Sequence, residues 1–229
     1  MTIIAVCGMT REARIAAGPG VETLAGGTKA VVLHQKLERA IGEGASGIVS
    51  IGIAGGIAPS LKSGDCVVGS VVLADGDRFF PDAQWTARIL AKLPGAVAGV
   101  VAGVDAVMTT SSAKAALFRA TGAYAVDMES HIVARLADAH RVPFAVLRTI
   151  SDPPGSALPP LVSTAVTESG NIDFMRVLLS LLRNPGQIPA LIQTARESQA
   201  AFAALLRCRR ALGLRLLGPD GGELSLDMG

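Results

Sequence analysis

The runs IIAVC, KAVVL, GIVSIG, CVVGSVVLA, YAVDM and FAVLRTIS are rich in β-branched residues and nearly continuous in hydrophobicity. A strand with one wet face alternates apolar and polar residues, whereas unbroken apolar runs belong to strands covered on both faces. Helix-like segments separate these runs, over residues 35–44, 83–93, 112–121 and 129–140. The alternation predicts an α/β fold: three αβα layers around a mixed, largely parallel central sheet, where chemistry gathers at strand ends. With 229 residues, half of them hydrophobic, the chain can fill one such core, while two independent domains would be cramped.

From Asn171 the composition turns to Leu, Ala and Arg. FMRVLLSLLR and IPALIQTARESQAAFAALLRCRRALG read as two helices parted by NPGQ, so residues 171–215 are expected to form a C-terminal helical extension of the α/β domain spanning 1–170. The glycine-rich stretch that follows, within 216–229, is expected to be a flexible tail.

A formal net charge of +2 with 17% charged residues gives no polyanion-binding signature, so a small molecule is the expected partner and a nucleic acid is not. Cys7, Cys66 and Cys208 form no C-x-x-C pair, which points to reduced thiols, with neither a metal site nor a disulfide framework. The N-terminal apolar run has no basic segment before it and reads as a strand, not a signal peptide. The longest apolar stretch, Leu93 to Val104, is broken by Pro94 and several glycines and falls short of the ~20 residues that span a bilayer. A cytoplasmic protein is expected. The arginines of the last helices, Arg176, Arg183, Arg207, Arg209 and Arg210, leave open a peripheral contact with an anionic bilayer, or equally a solvated helix surface.

The chain has no P-loop, no G-x-S-x-G and no H-E-x-x-H, which lowers the weight of phosphoryl-transfer, α/β-hydrolase and zinc-protease readings. Instead it carries GMTRE at 8–12, SIGIAGGI at 50–57, GVDAVM at 103–108, AVDMES at 125–130 and TISDPP at 149–154. The helix starting near Ser112 and closing at Gly122 brackets the YAVDM strand, so Glu129 falls just past a strand's end. Asp152 falls where FAVLRTI opens into a Pro- and Ser-rich loop. Both carboxylates can therefore face one crevice.

In order and spacing these segments, over roughly residues 2–155, resemble the nucleoside phosphorylase and nucleosidase superfamily, and within it the hopanoid-associated phosphorylases, which are thought to remove adenine from adenosylhopane. The resemblance implies cleavage of an N-glycosidic bond, with phosphate as co-substrate in the phosphorolytic branch, no cofactor or metal, and a homo-oligomer. By the same resemblance Asp152 is the general acid that protonates the leaving base, and Glu129 binds the ribose hydroxyls, with Met128 beneath the sugar. Glu12 matches the carboxylate that activates water in the hydrolytic branch. Asp127, Ala54, Gly55, Val107, Met108 and Ser151 are expected to line the substrate pocket. Arg11, Arg14, Gly52 and Ile53 are the candidates for gripping phosphate, since a permanently charged guanidinium and unobstructed backbone amides suit an anion.

The segments depart from the family pattern at three places. Ile53 stands where relatives often carry a hydroxyl, Ser50 where one phosphorylase branch carries arginine, and Val107 where several carry a phenylalanine beside the base. Phosphorolysis leads among the readings. A methylthioadenosine- or futalosine-type hydrolase is the first alternative and a non-catalytic nucleoside sensor the second.

Overall fold

The computed structural model describes residues 2–26, 30–157 and 188–219. The expected helix FMRVLLSLLR, with Arg176 and Arg183, lies outside the described residues.

Among the described residues eight strands form one mixed sheet: β1 (Thr2–Cys7), β2 (Val21–Ala25), β3 (Ala45–Gly56), β4 (Cys66–Ala74), β5 (Asp77–Phe79), β6 (Val97–Gly103), β7 (Ala125–Asp127) and β8 (Phe144–Asp152). The described helices are α1 (Thr10–Ala16), α2 (Ala30–Gly42), α3 (Ala83–Lys92), α4 (Ser111–Thr121), α5 (Ser130–His140) and α6 (Ile188–Ala211). The strand order is β2-β1-β3-β7-β6-β4-β5, and β8 lies against both β3 and β4. The α/β class and the mixed sheet agree with the sequence pattern. The layers are not flat, however, because β3, β8, β4, β6 and β7 each pair with the next and β7 returns to β3, closing a ring.

KAVVL departs from its expected strand: from Ala30 it is the first turn of α2. Leu33, Leu37, Ala40 and Ile41 are buried while Val31 and Val32 face outward, so the apolar residues recur with the helical period and override the β-branched pair. The apolar stretch before Val104 supplies β6, and α4 is capped by Thr110, not Ser112, through a bond from Ala113 N to Thr110 Oγ1 at 3.2 Å. Pro189 stands in the first turn of α6, where its missing N–H costs nothing.

One apolar core joins β1 to α6. Ile3, Ala5, Val49, Leu147, Phe202, Leu205 and Leu212 share a cluster, so α6 is part of the body and not a loose appendage. Leu216, expected to begin the tail, is fully buried, and its carbonyl accepts from Trp85 Nε1 at 2.9 Å. All three cysteines are buried free thiols, and the fold brings Cys66 and Cys208 to 3.7 Å between sulfurs. Among the described residues no helix is long and apolar enough to cross a membrane.

What positions the site is the pairing of β3 with β8. The strands run parallel with Gly52 opposite Arg148 and Ala54 opposite Ile150, and a bulge at Ser151 sets Gly55 opposite Asp152. Gly52 to Gly55 of β3 and Arg148, Ser151 and Asp152 of β8 form the floor on which the site described below is built.

Candidate active site

A charged residue inside an otherwise apolar, doubly covered strand must be paired, because an uncompensated buried charge costs several kcal/mol. Arg148, in the middle of β8, is such a residue, with no solvent exposure. Its Nε lies 2.6 Å from Asp127 Oδ2, off the line of a hydrogen bond, so that contact is ionic. Its Nη2 donates to Ser50 Oγ at 2.5 Å and Ser130 Oγ at 3.2 Å, and sits 3.6 Å from Glu129 Oε2. Nη1 has no hydrogen-bond partner among the described residues.

Asp127 ends β7 and is spent within the protein. Its Oδ1 accepts from the backbone N–H of Glu129 at 3.0 Å and of Ser130 at 2.8 Å, and its Oδ2 accepts from Ser130 Oγ at 2.5 Å. It thereby fixes the turn into α5 and holds Arg148, beside Glu129, the residue that opens α5. Glu129 Oε1 lies close to Gly8, just past β1, where a side-chain carbon would come within 2.7 Å of it and press the carboxyl aside.

Glu12 is 2% exposed although it stands in the first turn of a surface helix. Its Oε2 accepts from Met9 N at 2.7 Å, closing the start of α1, and its Oε1 accepts from Ile53 N at 2.7 Å. Gly52 faces the same place: a side-chain carbon on it would lie 2.6 Å from Glu12 Oε1 and 2.8 Å from Arg148 Nη1. Three carboxyl groups thus surround one guanidinium. Burial pushes the Glu129 carboxyl up to about 8, opposed by Arg148 and reinforced by Asp127 and Glu12. Burial likewise raises Glu12, against the N–H of Ile53 and the charge of Arg148. For Arg148 burial acts downward, but the three carboxyl groups outweigh it and leave it raised.

A second centre lies at the end of β8. Asp152 is 6% exposed. Its Oδ1 accepts from Ser151 Oγ at 2.6 Å, a hydroxyl that also reaches the Ala54 carbonyl at 3.2 Å. Its Oδ2 is 2.5 Å from Lys114 Nζ, and a side-chain carbon on Gly55 would lie 3.2 Å from that same oxygen. Hence β3 touches both centres, through Gly52 and Ile53 at one and Ala54 and Gly55 at the other.

The structure therefore brings together Glu12, Gly52, Ile53, Asp127 and Glu129 around Arg148, and Ala54, Gly55, Ser151 and Asp152 beside Lys114. Met128 is half-buried between the two carboxylate residues, and Met108 packs against the cluster of Ile57, Ala102, Ala123 and Val126. Arg11, Arg14 and Val107 stand apart. Arg11 is exposed with its guanidinium 3.9 Å from the centre of the Phe202 ring, Arg14 is exposed, and Val107 is half exposed. The sequence reading missed Arg148 and Lys114. A lone arginine in the apolar run FAVLRTIS was a usable signal, whereas Lys114 looks like any solvated helix lysine in SAKAALFRAT.

Over residues 22–182 the chain matches the family model described as the Phosphorylase superfamily, and it belongs to that superfamily. Its fold is similar to that of the 5'-methylthioadenosine/S-adenosyl homocysteine nucleosidase of Helicobacter pylori, with a TM-score of 0.66 at 14% identity, covering 93% of this chain and 97% of that one. The 5'-methylthioadenosine/S-adenosylhomocysteine nucleosidase of Colwellia psychrerythraea, solved in complex with adenine, gives a TM-score of 0.61 at 20% identity, covering 91% and 95%. Futalosine hydrolase of Helicobacter pylori gives 0.61 at 16% identity, covering 92% and 99%. No curated protein matches the chain in sequence.

Proposed function

We propose that the chain hydrolyses the N-glycosidic bond of a purine nucleoside, with water and not phosphate as the nucleophile. One observation carries the choice: the buried Glu12 carboxyl already takes the N–H groups of Met9 and Ile53 and fills the space beside Gly52. A phosphate held by the glycine-rich loop would need the Ile53 N–H and the space beside Gly52, and Glu12 occupies both. An ionised Glu12 would also repel it. Phosphorolysis, which leads on sequence grounds, is further weakened by Arg11 and Arg14, both exposed, with Arg11 over Phe202. The similar structures named as a nucleosidase and a hydrolase accord with this reading.

The chemistry then follows from the two centres. Glu12, its proton affinity raised by burial, takes a proton from water as the oxygen bonds to the anomeric carbon of the sugar. The unpartnered Nη1 of Arg148 lies beside Glu12 and steadies the attacking oxygen. Glu129 hydrogen-bonds the ribose hydroxyls, a contact that strengthens as positive charge develops on the sugar. On the other face the bond from carbon to the base nitrogen breaks, and Asp152 supplies a proton so that the base leaves neutral. No metal or cofactor is needed for any of these steps.

Base release from methylthioadenosine in rigorously phosphate-free buffer tests the choice. Turnover undiminished without phosphate is expected, and turnover that appears only with phosphate would overturn it. For the 5′ group, the similarity of the five sequence segments to hopanoid-associated phosphorylases supports a lipid-linked nucleoside. Adenosylhopane is then expected to release adenine with a higher kcat/KM than methylthioadenosine, and the reverse ranking would remove the lipid.

A further inference from the structure

Lys114 is among the largest fully buried side chains in the protein, yet none of the steps above uses it. Burying an ammonium is costly unless all its protons find acceptors. Lys114 finds four oxygens: Asp152 Oδ2 at 2.5 Å, and the carbonyls of Asp152 at 3.2 Å, Pro153 at 3.0 Å and Ser156 at 3.2 Å. Two belong to Asp152, the last residue of β8, and two to the loop that follows, so one lysine from α4 clasps both the acid and the loop leaving it. The clasp is held from the other side by Ser156 Oγ, which donates to Glu197 Oε1 on α6 at 3.2 Å.

We propose that Lys114 is a positioning residue for the general acid, and that it dictates which oxygen of Asp152 carries the proton. An ammonium has only donors, so the oxygen facing it, Oδ2, must be an acceptor. The proton that Asp152 gives when it acts as the acid is therefore one carried on Oδ1. There Ser151 serves both protonation states. Its hydroxyl donates to an ionised Oδ1, or accepts from a protonated one while donating to the Ala54 carbonyl. After the proton has passed from Oδ1 to the base, the ionised carboxylate remains paired with Lys114, and a proton from solvent restores the acid.

The inference rests on the proposed glycosidase activity, and its test separates the two. Wild type, Lys114→Met, Asp152→Asn and the double variant are assayed on a purine nucleoside and on 4-nitrophenyl riboside, whose leaving group departs as an anion and needs no acid. Lys114→Met is expected to lower kcat on the nucleoside by about 10²-fold, within the range a positioned acid contributes, with KM little changed. It is expected to leave turnover of the 4-nitrophenyl riboside within about twofold of wild type, which also shows that the variant folds, and to add no further loss to Asp152→Asn. Equal losses on both substrates, or losses that multiply in the double variant, would make Lys114 merely structural and overturn the proposal. Unchanged nucleoside turnover in Lys114→Met would overturn it as well. A wild type that cleaves neither substrate would overturn the glycosidase reading itself, and this inference with it.

Discussion

The two centres along β3 and β8 each enclose one buried cation, but in opposite company. Arg148 is surrounded by three carboxyl groups, more negative charge than it can neutralise, while Lys114 meets a single carboxylate and three backbone carbonyls. Burial is the main reason that Glu129 and Glu12 are raised, and at Glu129 the neighbouring Asp127 and Glu12 add to it while Arg148 opposes it. The proposed hydrolysis would use this difference: a carboxylate of raised proton affinity stands where water would be deprotonated, and a carboxyl held rigidly by a lysine stands where the base would leave.

The contrast can be broken one residue at a time. The largest effect is expected from Glu12→Gln, which keeps one acceptor for the two backbone N–H groups but removes the base. kcat should fall by about 10²–10⁴-fold with KM nearly unchanged, as read by steady-state base release. A variant within about threefold of wild type would take Glu12 out of the chemistry. Next comes Arg148→Met, which leaves three buried carboxyl groups without their cation. Breaking such a cluster from one side costs about 3–5 kcal/mol, measurable as a lower midpoint in urea. An unchanged midpoint would mean that the cluster is wetter than its burial implies.

Glu129→Gln sharpens the account of the surplus charge. Because folding raises this carboxyl from 4.5 to about 8, the native state binds the extra proton, and the stability this contributes is present below pH 4.5 and lost as pH rises through 8. The variant has no such dependence. It is expected to melt a few degrees above wild type at pH 8.5 and to converge with it near pH 5, while losing most activity. A parallel pair of melting curves across this range would contradict the raised carboxyl. Arg11→Ala should have the smallest effect. It forfeits an exposed stack on Phe202, about 0.5–1 kcal/mol, and leaves kcat/KM within about twofold. A large loss of activity that phosphate dependence accompanies would return Arg11 to the nucleophile's side.

Both centres were partly legible in the sequence, to different depths. Glu129 and Asp152 follow from their place at strand ends, and their motifs point to the same crevice. The α/β class follows from unbroken apolar runs. What the pattern could not give were long-range pairings. Glu12 reaches Ile53 across 41 residues, and Lys114 reaches Asp152 across 38. Neither contact leaves a local period. KAVVL misled for a related reason, because β-branched composition competes with a helical period that becomes visible only when Leu37, Ala40 and Ile41 are read with it. Arg11 and Arg14 attracted attention as cations near the motif, yet on α1 they face outward while Glu12 between them turns in.

The account stands or falls on the identity of the nucleophile. Turnover of methylthioadenosine in ¹⁸O-enriched water containing millimolar phosphate, with the sugar product weighed by mass spectrometry, measures it directly. The account predicts a free pentose that has gained one ¹⁸O at the anomeric position. A sugar 1-phosphate without label would contradict it.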